Sequence, residues 1–150
     1  MDSSTLFRIL VFIGLTAFII KTQIKKPEDV LNTQPDFFLR FKAKGLPLEL
    51  LERLKLSAQK NLRAKEVRQR REQSPPEKYF CVLNTGWNLL SFGYVIAISA
   101  EQADSQNSYI ALALYIKSKT NFLDGKVAGN KFTKTMQDSN LGKIEVFNEE

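Results

Sequence analysis

The strongest pattern along the chain is an almost unbroken apolar run, Leu6 to Ile20 (LFRILVFIGLTAFII), followed at once by Lys21 and then by Lys25 and Lys26. As a helix this run spans roughly 22 Å, and extension to Ile24 brings it to roughly 28 Å, against about 30 Å for a bilayer core. Arg8 and Lys21 stand where long cationic side chains reach an interface. The pattern predicts a single transmembrane helix over residues 6–24 behind a short tail, 1–5. A cleaved signal peptide shares the apolar core but needs a basic leader and a small-x-small cleavage site. Here the leader carries Asp2, and the core runs into Lys-Thr-Gln-Ile-Lys-Lys. A buried core helix is the third reading, and it needs apolar surroundings that the rest of the chain supplies poorly. Lysines and arginines crowd the C-terminal side, which places the bulk of the chain on the cytoplasmic or equivalent side.

Residues 25–46 read as a juxtamembrane linker opened by Pro27, with one helical turn over Glu28–Leu31. A second short helix starts at Pro35-Asp36 and stops at Gly45 after Lys42 and Lys44. Its Phe37, Phe38 and Phe41 are either core contacts or, with Arg8, Lys21, Lys25 and Lys26, membrane-interface residues. From Pro47 the helical period is strong. Leu51, Leu54, Ala58 and Leu62 form one stripe, Glu49 and Glu52 suit the positive end, and Arg68, Arg70 and Arg71 suit the negative end before Ser74-Pro75-Pro76. The expectation is one long helix over 47–73, its first turns docked and its last turns in solvent.

Beyond Tyr79 the texture turns to strands, over Tyr79–Leu83 and Leu89–Ser99, with a turn at Asn84-Thr85-Gly86 between them. Tyr109–Lys117 is apolar on both faces, as in a buried strand, although its Ala and Leu content keeps a helix open. Asp124-Gly125 reads as a hairpin turn between Asn121–Leu123 and Lys126–Ala128, and Ile144–Phe147 as a closing strand. The predicted fold is α+β: an N-terminal transmembrane helix, then a long basic amphipathic helix packed on a small antiparallel sheet of four or five strands. Residues 47–150 form the α+β domain, mainly β over 79–148.

Charge divides the chain. Residues 1–76 hold fifteen Lys/Arg against eight Asp/Glu, residues 77–150 hold seven against eight, and every arginine lies in the first part. The cluster Lys60, Arg63, Lys65, Arg68, Arg70 and Arg71 has two readings. It is a solvated face partly paired with Glu66 and Glu72, or it meets an anionic partner such as lipid headgroups or an acidic protein face. Nucleic acid is disfavoured because no aromatic residues interleave with the basic ones after Phe41.

Chemistry is sparse. The absence of histidine removes the His-dependent nucleophile triads and His-ligated zinc, and a single cysteine excludes a CxxC pair. Cys81, flanked by Phe80 and Val82, reads as a buried inert thiol. Gly125-Lys-Val-Ala-Gly129-Asn-Lys131 lacks the Lys-Ser/Thr ending of a phosphate loop. Trp87 reads as a core cap at a turn, with an interface contact as the alternative. No cofactor, metal or catalytic residue is expected. The expected function is a single-pass, membrane-anchored, non-enzymatic accessory or assembly subunit, with membrane lipid and other membrane-complex proteins as partners. The alternatives are a membrane-tethered module for a small or peptide ligand and a His-independent enzyme.

Overall fold

In a computed structural model the structure describes residues 2–23, 27–72, 75–86, 93–118 and 122–147, with the side chains of 17–23 and 122–124 not among those described. Ten elements follow one another: α1 (Ser3–Gln23), α2 (Pro27–Leu31), β1 (Phe37–Lys44), α3 (Pro47–Leu62), β2 (Lys65–Glu72), β3 (Lys78–Asn84), β4 (Tyr94–Gln102), β5 (Asn107–Ile116), α4 (Phe122–Asp138) and β6 (Ile144–Val146). The strands make one six-stranded sheet in the order β2-β3-β4-β5-β1-β6, antiparallel at every pairing. The α+β class is as read from the sequence, but three parts of the predicted architecture are overturned.

The first correction concerns the N-terminus. Among the described residues no helix is long and apolar enough to cross a membrane. The transmembrane helix of the expected fold is therefore not upheld.

The second correction concerns the long basic helix. The helix begins at Pro47 as expected and buries Leu50, Leu51, Leu54, Ala58 and Leu62. It ends at Leu62, where Arg63 takes the left-handed conformation (φ 52°, ψ 37°) that closes a helix. Continued as a helix, the chain would carry Lys65, Glu66 and Gln69 along the line of the apolar stripe. As the edge strand β2 it leaves those charges in solvent while its backbone pairs with β3. A lysine- and arginine-rich edge also resists pairing with foreign strands.

The third correction is the strand count. Six strands replace four or five because β1 and β2 both arise from segments read as helical. In β1 the period is two: Phe37, Leu39, Phe41 and Ala43 point to the core side, while Phe38, Arg40 and Lys42 take the other face. Pairing with β5 along the whole strand, from Phe37↔Leu114 to Lys44↔Asn107, holds that alternation. Gly45 lets the chain leave β1 for α3. Its φ of 139° favours glycine, and a Cβ there would stand 3.0 Å from a Leu50 methyl.

The Asp124-Gly125 hairpin is likewise replaced by α4. Ala128, Phe132 and Met136 recur at helical spacing and pack on the core. Gly129 lies against the Phe37 ring, 3.1 Å from where its Cβ would be, and Phe37 stacks on Phe132 with ring centroids 5.8 Å apart. Small residues on this stripe let α4 approach closely, so the local turn signal lost to tertiary packing. The Ser57 hydroxyl donates to the Thr135 carbonyl at 2.7 Å, and Asn61 donates to Asp138 at 3.1 Å, tying α3 to α4.

Tyr109–Lys117 resolves as strand: β5 runs beside β4 in the centre of the sheet, with Ile110, Leu112 and Leu114 buried under the helices. The two strands join through Asp104, whose carboxylate accepts the Gln106 and Asn107 amides at 2.9 Å each. Strands Tyr79–Leu83 and Ile144–Phe147 are present as β3 and β6. Trp87 and the start of the Leu89–Ser99 prediction lie outside the described residues.

The sheet therefore has two different faces. One is covered by α3 and α4 and encloses the main core; the other carries, among the described residues, only the five-residue α2 over part of its width.

Candidate functional site

Antiparallel register places side chains of alternate residues in transverse rows, and the face opposite α3 and α4 is built of three such rows. The first reads Arg68–Val82–Ala97–Ala113–Phe38 across β2, β3, β4, β5 and β1. It lies under α2: Val30 is 2% exposed and packs with Val82, Ala97 and Ala113. The second row reads Arg70–Phe80–Ser99–Ala111–Arg40 and has no element above it among the described residues. The third reads Glu72–Lys78–Glu101–Tyr109–Lys42, and Glu145 of β6 extends it.

The middle row is a trough. Ser99 and Ala111 form its low floor at the two central strands, and Phe80 and the half-exposed Phe38 rise on either side. Two depressions meet over it, sharing Ser99 and Glu101. One, of about 330 Å³, lies toward Arg70, Glu72, Lys78 and Phe80. The other, of about 220 Å³, lies toward Phe38, Arg40 and Tyr109. A further depression of about 400 Å³ sits at the β1–β6 edge, lined by Lys42, Lys44, Lys143 and Glu145.

Both lysines of the third row have a carboxylate partner. Lys78 and Glu101 approach to 3.8 Å, and Lys42 reaches Asp104 at 3.5 Å while standing over the Tyr109 ring. Backbone donation from Gln106, with the Asn107 side chain, holds the Asp104 carboxyl down to about 2. In the middle row, by contrast, neither Arg40 nor Arg70 has a carboxylate partner among the described residues. Arg68 lies over the Phe80 ring at 6.0 Å, and its Nε is shielded from solvent with no hydrogen-bond partner among the described residues.

The basic cluster read from sequence is thus divided. Strand alternation sends Lys65, Arg68 and Arg70 to the open face. Arg71 turns to the other side, where it pairs with Glu77 at 3.1 Å and covers Tyr79. Lys60 stays in the last turn of α3 and Arg63 caps it. Glu66, expected to neutralise part of the cluster, instead pairs with Lys55 of α3, which raises the Lys55 amine above its usual value. Of the aromatic candidates, Phe41 is fully buried, Phe37 packs on the core, and only Phe38 faces outward at 45% exposure. Arg8 is exposed on α1, whereas Lys25, Lys26 and the Lys21 side chain lie outside the described residues.

Arg40, Ser99, Phe80 and Ala111 were not among the sequence candidates. A period-two reading of 37–44 and 65–72 is the signal that would have found the two arginine ends of the row.

Groups with chemical potential do not converge. Cys81 is buried under α3, and desolvation pushes its thiol up to about 11. Lys117 is buried and donates to the Thr85 carbonyl at 2.6 Å, with burial lowering its amine below the usual value. Among the described residues no three His, Cys, Asp or Glu side chains are grouped to hold a metal. No protein-family model matches this chain, and no curated protein matches it.

Proposed function

We propose that this protein is a non-enzymatic accessory or assembly subunit of a larger membrane complex, held in place by its apolar helix α1 and offering its α+β domain to partners. The observation that carries this reading is the bareness of α1. Leu6, Phe7, Ile9, Leu10, Val11, Phe12, Ile13 and Leu15 are each between 41% and 71% exposed. Consecutive positions are spread around the whole helix, so no polar face remains for water. Covering so much apolar surface is worth on the order of 10 kcal/mol, at about 1.5–3 kcal/mol for each fully buried large side chain. A lipid phase or an apolar partner surface supplies that cover.

The test is fractionation of the native protein, followed by purification in mild detergent. Retention in the membrane fraction and co-purification of a stoichiometric partner are expected. Replacing both Leu10 and Ile13 with Asp is expected to release the protein to the soluble fraction. Recovery of the unaltered protein in the soluble fraction, without a partner, would refute the reading.

A further inference from the structure

We propose that the open trough of the sheet, the row Arg70–Phe80–Ser99–Ala111–Arg40, is the docking seat for an acidic segment of a partner protein. This rests on the accessory-subunit reading and names the chemistry of the partner.

Three observations point to that occupant. The chain itself shows how the face is filled: one row along, α2 seats Val30 over the Ala97–Ala113 pair. The Ser99–Ala111 pair continues this floor of small residues, and nothing covers it among the described residues. The charges then specify the sign of the visitor. Arginines stand at both ends of the trough without a carboxylate partner among the described residues, while in the neighbouring row Lys78 approaches Glu101 and Lys42 reaches Asp104 of the β4–β5 turn. Arg68, at the β2 end of the adjacent row that α2 covers, keeps a solvent-shielded Nε with no acceptor among the described residues. Guanidinium groups form paired hydrogen bonds with carboxylates, and such bonds are stronger than neutral ones.

Geometry sets the length. Arg40 and Arg70 lie on strands four spacings apart, about 19 Å between backbones at roughly 4.8 Å per strand. A segment crossing the sheet with a carboxylate toward each end and a small apolar or aromatic side chain between them meets both arginines and the floor.

The experiment uses the full chain in detergent micelles, panned against a displayed library of random twelve-residue peptides. Enriched sequences are expected to carry two or more Asp or Glu flanking an apolar residue. A fluorescent copy of one such peptide should lose affinity roughly tenfold when Arg40→Gln and Arg70→Gln are combined, and should bind less tightly as salt rises. Ser99→Trp, which fills the floor, should abolish binding. The two arginines are exposed, so their variants keep the fold, and circular dichroism checks each protein. Enrichment of basic or neutral apolar peptides, or of none, overturns the proposal. So does binding to anionic phosphatidylglycerol vesicles that depends on Arg40 and Arg70 in the absence of peptide binding. If a stoichiometric partner still co-purifies with the Ser99→Trp variant, the accessory reading stands and the trough is not its seat.

Discussion

Leu54→Ala tests the central packing of the fold. Leu54 is fully buried where α3 lies on the sheet, in one cluster with Leu50, Leu51, Ala58, Ile98 and Leu112. Truncation removes apolar carbon worth about 0.8 kcal/mol per methylene-sized group and leaves a hole that rigid neighbours on the sheet cannot close. Together these give a loss of about 3–4 kcal/mol. A domain of this size is stable by roughly 6–15 kcal/mol at about 0.05–0.15 kcal/mol per residue, so the loss is large. Leu56, two residues along the same helix, is 62% exposed and supplies the control. The same truncation there should move stability by no more than about 0.5 kcal/mol. Urea unfolding of the full chain in mild detergent, followed by far-ultraviolet circular dichroism, reads both. With a slope of about 1.5–2 kcal/mol per molar, Leu54→Ala should lower the midpoint by roughly 2 M and Leu56→Ala by almost nothing. Equal shifts, or a larger one at Leu56, would refute the assigned face of α3.

Three further outcomes follow from particular side chains. Thr135 is 2% exposed and its hydroxyl has no partner among the described residues, so Thr135→Val, of the same shape, should leave stability unchanged or raise it by about 1 kcal/mol in thermal melts; a clear loss would mean the hydroxyl is satisfied. Gly93→Ala should destabilise by about 2 kcal/mol or more, because φ is 93° and the new Cβ would lie 2.7 Å from the Thr85 carbonyl oxygen; a near-neutral melt would refute that turn. The Cys81 thiol, raised from 9.0 to about 11, should resist iodoacetamide at pH 8 in the native protein and react readily in urea. Because the folded chain keeps this proton longer than the unfolded one, the contribution of the neutral thiol is intact below pH 9 and lost as pH rises from 9 to 11. Alkylation at the unfolded rate without denaturant would contradict it.

The sequence by itself determined the elements whose periodic signal is strong and unopposed. Pro47 and the stripe Leu51, Leu54, Ala58, Leu62 specify where α3 starts and which side it buries. The aromatic and β-branched texture of 79–83 specifies a strand, whereas the two-sided apolar run of 109–117 stayed open to a helix until pairing with β4 decided it, and the lone Cys81 among apolar neighbours is buried as its surroundings demand. What only the tertiary structure decided lies where local chemistry was ambiguous. Phe37–Lys44 and Lys65–Glu72 carry enough Lys, Arg and Glu to suit a helix, yet both complete a sheet whose central strands offer unpaired backbone on either side. Asp124-Gly125 suits a tight turn, yet Ala128, Gly129 and Phe132 secure more burial as a helix against Phe37. The candidate site follows the same rule. Arg40 and Arg70 are thirty positions apart in the chain and nothing local relates them; antiparallel register across five strands puts them at opposite ends of one row.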